Sequence, residues 1–239
     1  MLTAKKWTIM ILALILLLLA AAWFTSSIYG LPWKKNAIAK KLEIHLEEKY
    51  NEEFERKESF YNFKDGSYGG VFYPSNDSTL EFYAEEGFAE YKYVDTYPEV
   101  LWARQLEEDI KPFYQKIYPE LQTVETHYVT YQSLDKVKGP NIPRYDEAKA
   151  ELSAHFELEQ SFSNSEEQWQ PITELVQKIQ SLSAETDVSF RFLESGKKTE
   201  VFILCPTKSE KEIKTIQHAK EACSVDRYDI ETSMPMDKE

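Results

Sequence analysis

The side chains that most often do chemistry are present in this sequence but are not grouped for it. His45, His127, His155 and His218 lie in separate parts of the chain, without the H-E-x-x-H spacing that sets two imidazoles one helical turn apart. His218 and Cys223 are expected on one helix. Five residues apart on a helix, the two are poorly aligned for one ion, because it is i and i+4 that share a face. All four read as surface or half-buried histidines. Acidic runs at Glu85-Glu86, Glu107-Glu108-Asp109 and Glu166-Glu167 lack a D-x-D-x-D-G calcium loop and read as solvated faces. Ser67 and Ser195 lack a G-x-S-x-G elbow, and Gly66, Gly69 and Gly70 precede no helix that would cradle a phosphate. No catalytic residue, metal ligand or cofactor is assigned, and a carboxylate site would have to be assembled from distant positions.

One binding surface can be drawn from a hairpin. Asp65-Gly66 between aromatic-rich runs is a strong two-residue turn signal, because a type I′ turn needs φ > 0 at both central positions. With that turn Lys64 pairs with Ser67, Phe63 with Tyr68, Tyr61 with Gly70 and Ser59 with Phe72. Tyr61, Phe63, Tyr68 and Phe72 then share the face expected to meet the helices. The other face carries Phe60 opposite Val71 and Asn62 opposite Gly69. Phe60, Asn62, Val71 and Tyr73 on it form a candidate platform for a protein or peptide partner, since exposed aromatic faces bind partners. Gly69-Gly70 would let an opposing aromatic such as Tyr61 lie across the strand.

The elements around that hairpin follow from periodicity. Ile9 to Phe24 is unbroken apolar sequence, and Trp7 to Ile28 is long enough for the ~30 Å hydrocarbon core of a bilayer. Trp7, Trp23, Tyr29 and Trp33 sit where rings favour the headgroup boundary, and Gly30 and Pro32 end the helix. A cleaved secretory signal is the competing reading: Lys5-Lys6, an apolar stretch and Ala20-Ala21-Ala22 form its three parts. Either reading exports the remainder. Lys34, Lys35, Lys40 and Lys41 outnumber Lys5 and Lys6 and favour the opposite topology, but long following domains translocate largely regardless of charge.

Beyond the span, Ile38, Leu42, Leu46 and Tyr50 mark a helix over 36–50. The hairpin is followed by a strand over Thr79 to Ala84 and a fourth over 88–94, making a meander. Trp102, Leu106, Ile110, Phe113 and Ile117 mark a helix after Pro98, and Pro112 inside it predicts a kink near Glu108 to Ile110 or two abutting helices. A strand over Leu121 to Ser133 leads into a loop at Lys138 to Pro143. Then come helix 145–154, strand 155–162, helix 166–182, strands around Val188 to Phe192 and Val201 to Ile203 joined at Ser195-Gly196, helix 208–222 and strand 225–231. The order β-α-β-β-α-β is that of the split βαβ, ferredoxin-like pattern.

The expected fold class is α+β: an N-terminal transmembrane helix followed by two small α+β domains. The segments are a tail (1–6), the span (7–29), a helix-meander-helix domain (34–119), a strand and linker (120–144), a ferredoxin-like domain (145–231) and a frayed tail (232–239). On this layout Cys205 ends a strand and Cys223 ends a helix running back along it, ~22 Å away. Two separate thiols are therefore expected, since a disulfide needs Cα atoms within about 7 Å.

Composition narrows the partners. The formal net charge is −13, and more negative once Lys5 and Lys6 are set aside. Such a surface repels phosphate backbones, so no nucleic-acid partner is expected. The expected setting is a cell membrane crossed once, with the soluble part extracytoplasmic; oligomeric state is not legible.

Gly30-Leu31-Pro32-Trp33-Lys34-Lys35 after the span, Tyr61 to Gly69 in the hairpin, and Leu106 to Phe113 with its Lys111-Pro112 resemble the YfjL-like proteins of Gram-positive bacteria. The likeness is best over about residues 28 to 118. It implies a bacterial envelope setting and two small domains, and it transfers no catalytic or binding residue. The helix-meander-helix order also resembles PepSY-type modules, at the level of fold alone. Three functions compete: a non-enzymatic binding or regulatory module of the envelope, an enzyme with an unrecognised carboxylate site, and a cytoplasm-facing tethered regulator.

Overall fold

The computed structural model describes residues 4–121, 124–193 and 199–229. The expected Ser195-Gly196 turn and the tail from Thr232 onward lie outside them. The chain forms two compact units, Met1–Tyr97 and Pro98–Glu239.

The first unit opens with helix α1, Ala4–Tyr29, whose apolar window is long enough to cross a membrane and is 0% buried. Gly30, at φ +67, ends it. Helix α2, Pro32–Tyr50, starts with proline where a missing N–H costs nothing, and Asn51 closes it at φ 55. Its buried stripe is the expected one, Ile38, Leu42, Leu46 and Tyr50, widened by Ala39.

The stripe covers a four-stranded antiparallel meander, β1 (Phe54–Asn62), β2 (Ser67–Pro74), β3 (Phe82–Glu86) and β4 (Tyr93–Asp95), in the order β1-β2-β3-β4. Rings of Tyr50, Phe54, Phe82 and Tyr97 meet mostly edge-on between helix and sheet. The carboxylate of buried Asp95 accepts from Lys49 Nζ and Tyr50 Oη, each at 2.8 Å. A buried charge held this way keeps most of the hydrogen bonding it had in water.

The hairpin register differs from the one expected. Tyr61 pairs with Tyr68, Phe60 with Gly69 and Asn62 with Ser67, two positions from the Asp-Gly prediction, with a bulge between Arg56 and Glu58. The reason lies in Asn62. Its Oδ1 accepts from Lys64 N at 3.1 Å, its Nδ2 donates to Asp65 Oδ2 at 2.6 Å, and its carbonyl accepts from Gly66 N at 2.8 Å. These bonds close a four-residue loop, Phe63 to Gly66, in place of a two-residue turn. A shift of two leaves Tyr61, Tyr68 and Phe72 on the expected face, but Phe63, expected beside them, falls in the loop and is 63% exposed. Strands β3 and β4 start later than expected because Asp77 captures the backbone and hydroxyl of Thr79, and because Gly87 N bonds Lys92 O across a turn.

In the second unit, α3 (Tyr97–Ile117, of which all but Tyr97 belongs here) runs through Pro112 as one helix, so two abutting helices are not found. Its buried stripe is Trp102, Leu106, Ile110 and Tyr114, while the expected Phe113 is 38% exposed. A mixed five-stranded sheet follows: β5 (Glu125–Tyr128), β6 (Leu152–Leu158), β7 (Thr186–Leu193), β8 (Thr199–Cys205) and β9 (Ser224–Asp229), in chain order across the sheet. Helix α4, Glu166–Leu182, lies where it was expected and joins β6 to β7. The βαββαβ order is present, but β6 and β7 are adjacent and parallel, so no strand is inserted between them as in a split βαβ.

Two expected helices are absent or short. Residues 145–150 form a turn, and β6 begins at Leu152. Tyr145, 1% exposed, gives its N–H to Gln105 and its hydroxyl to Asp109 of α3, while Trp102 Nε1 donates to Pro143 O at 2.8 Å. These bonds hold the whole 143–145 stretch against α3. Helix α5 is Ile216–Ala222, with Thr215 accepting from His218 N as its cap. Residues 206–213 form a loop instead, gripped by Gln180: its amide donates to Pro206 O and Lys211 O and accepts from Ile213 N.

The short α5 overturns the expectation of separate thiols. Cys223 caps α5 and leads directly into β9, which runs antiparallel to β8 with Leu204 opposite Ser224. Cys205 and Cys223 are thereby neighbours, Cα atoms 4.2 Å apart, and form a disulfide.

Candidate functional site

The four residues assigned to a partner surface do share the outer face of the first sheet, although not in the pairing expected. Val71 lies opposite Glu58 and Tyr83, and Phe60 lies opposite Gly69. The Phe60 ring covers Gly69 so closely that a Cβ there would collide with it. This is the role expected of Tyr61, taken by its neighbour. Phe60 meets the Tyr83 ring edge-on at 6.2 Å, and Tyr73 donates to Glu55 at 3.0 Å. That bond holds the Tyr73 phenol above its ordinary value, because ionisation would set two negative charges together. Val71 is 6% exposed and serves as a floor. Asn62 is occupied by the loop it builds. Sequence reasoning missed Tyr83, the most open ring of the group at 53% exposure. Its position within an alternating strand was legible, but its opposition to Val71 needed the register.

The outer face of the second sheet is polar, and its registers align chemistry-bearing residues in rows. His127, Ser153 and Asp187 stand side by side on β5, β6 and β7; Glu125, His155 and Ser189 form the next row. The first row lines a cavity of about 460 Å³ together with Glu151, Glu185 and Ser209. Asp187 Oδ1 is buried there with no hydrogen-bond partner among the described residues. Burial pushes this carboxyl up, and the carboxylate of Glu210 adds to the effect. Glu185 accepts from Ser209 Oγ at 2.5 Å.

In the second row His155 Nδ1 lies 2.9 Å from Ser189 Oγ, and its ring stacks on Phe202 at 5.8 Å. Burial lowers the imidazole below its ordinary value, so it is neutral near pH 7. A serine beside a neutral histidine is the start of a nucleophilic site. Ser189, however, is 8% exposed at the centre of β7, where its backbone groups are committed to ladders with β6 and β8. Donors for an oxyanion are not provided by that strand.

The histidines are not brought into one site: His45 packs against Tyr93 in the first unit, and His127 pairs with exposed Glu125 at 3.6 Å. Among the described residues no group of three or more His, Cys, Asp or Glu is placed to hold a metal ion. Sequence reasoning also missed Glu99, fully buried in the first turn of α3, where its Oε1 accepts from Ser133 N at 2.8 Å.

Among solved structures, the chain is similar to a DUF5037 family protein from Ruminococcus gnavus ATCC 29149, at 15% identity and a TM-score of 0.41, over 77% of this chain and 98% of that one. A comparison with curated proteins gives no match. Residues 4–91, which hold α1, α2 and the meander up to the β3–β4 turn, are similar to the N-terminal domain of YfjL-like proteins.

Proposed function

We propose that this chain is a single-pass membrane protein whose two units lie outside the cytoplasm as a non-enzymatic binding or regulatory module of the bacterial envelope. Its partner is a protein or peptide, and the contact surface is the outer face of the first sheet around Phe60, Asn62, Val71 and Tyr73. The observation that carries the reading is Tyr83, more than half exposed and edge-on to Phe60 over a floor of Val71 and Gly69. Large rings held open in this way give contact area at little cost in side-chain entropy. The Cys205–Cys223 disulfide supports the compartment, because such bonds persist where the surroundings are oxidising. The likeness to PepSY-type modules is one of element order and lends no residue to this reading.

A photo-crosslinking amino acid at position 83, in the full chain in native membranes, tests the surface. A discrete adduct that disappears in the Phe60→Asp variant is expected. An adduct unaffected by that substitution, or none at all, contradicts the reading.

A second reading, an enzyme with a carboxylate site, is favoured by Asp187 alone: a carboxyl raised by burial, beside His127 and Ser153 in a cavity, has the features of a general acid.

A further inference from the structure

The junction after α1 is clamped to the sheet. A Cβ at Gly30 would lie 2.6 Å from Tyr61 Cγ, Leu31 N donates to Tyr68 Oη at 3.1 Å, and Lys34 Nζ sits 4.2 Å over the Tyr68 ring and 3.7 Å from Glu86. Tyr61 and Tyr68 are paired one step inside the two ends of the loop 63–66, and Glu86 is the last residue of β3 before the loop 87–92. At the far end of α2, Tyr50 meets Phe54 and Lys49 meets Asp95. Strand β1 therefore runs back along α2 from its end to its beginning. Tyr61 lies against Gly30, one residue from the end of β1, so the loop that carries Phe63 opens at the end of the sheet where α1 joins α2.

The loops at the two ends of this sheet differ in chemistry. Those at the α1 end display Phe63 at 63% and Phe88 at 53% exposure. The turn at the opposite end is polar, with Ser75, Asn76 and Asp77. Aromatic tips in water lose free energy of solvation that an interfacial layer restores.

We propose that the α1 end of the first sheet is a membrane-contacting surface, with Phe63 and Phe88 entering the headgroup layer of the phospholipid bilayer that α1 crosses. The contact rests on the reading of α1 as an anchor and adds a peripheral attachment to it. Lys64 is followed by Asp65, and Glu90 is near Lys92, so the tips carry balanced charge and the contact is apolar, without selection for anionic lipid. With one attachment through α1 and two through the tips, the first sheet is held in a fixed attitude to the membrane.

The test uses the full chain in phosphatidylcholine nanodiscs, with a fluorophore on Leu16→Cys, Phe63→Cys, Phe88→Cys or Asn76→Cys; the native cysteines are paired and do not react. Headgroup-nitroxide lipid is expected to quench positions 63 and 88 at least about threefold more than position 76, as for groups seated in the interface. Mid-chain nitroxide should quench position 16. Quenching at 16 with 63 or 88 no higher than 76 overturns the proposal and leaves the anchor standing, and the same result is expected if those rings serve a protein partner instead. An unquenched position 16 removes the anchor and the proposal with it.

Discussion

Single residues set the pH behaviour. Burial raises the Asp187 carboxyl above 3.8. From 3.8 upward the folded chain holds that proton better than the unfolded chain does, so stability falls as pH rises through the raised value and stays lower beyond it. Asp187→Asn should therefore raise the thermal midpoint at pH 7, and the two proteins should converge below pH 3.8; a variant less stable at pH 7 would show that the carboxylate is satisfied. His45 and His155 act with the opposite sign. Burial lowers both below 6.5, so the unfolded chain takes up their protons first and stability is lost as pH falls from 6.5 through the lowered values. Gly69 is set by space, not charge: a Cβ would meet the Phe60 ring and stand 2.7 Å from Ala84 O, a backbone atom that cannot yield cheaply. Gly69→Ala should cost about 1–3 kcal/mol in a denaturant titration, the usual effect of overpacking.

At the level of elements, what was legible in the sequence is what a local period dictates. The stripe Ile38, Leu42, Leu46, Tyr50 and the run from Trp169 to Ile179 each bury one helical face, and both helices stand where that spacing puts them. Failures occurred where a single side chain bonds to distant or neighbouring backbone. Asn62 replaces a two-residue turn by a four-residue loop, Tyr145 ties a helical-looking stretch to α3, and Gln180 holds 206–213 as a loop. None of these bonds has a period to betray it. Tyr114 displaces Phe113 from the α3 stripe because the helix meets Phe156 on that side, rings 6.0 Å apart. The candidate surface was legible to the extent that face parity survives a shift of two; the row of His127, Ser153 and Asp187 depends on a parallel pairing that sequence does not show. The error with most consequence is the disulfide. Intact protein should gain the mass of two hydrogens on reduction, and the double Cys→Ala variant should lose about 3 kcal/mol, the scale for a closed loop of this size. Free thiols in protein purified without reductant would contradict the pairing.

At the scale of the whole molecule, the physical claim is that α1 is too apolar to remain in water and that the remainder follows it across a bilayer. The apolar window of α1 is wholly unburied among the described residues, and leaving so much apolar surface in water is unfavourable. The flanking charges oppose export, with Lys34, Lys35, Lys40 and Lys41 following the span. The Cys205–Cys223 bond favours it, since a reducing cytoplasm does not maintain a structural disulfide. Protease treatment of intact cells that produce the chain, followed by detection of the part beyond residue 31, weighs the two directly. The expected result is digestion of that part before lysis, with α1 retained in the membrane fraction. Survival of the full-length chain until the cells are broken would place both units inside and contradict the account.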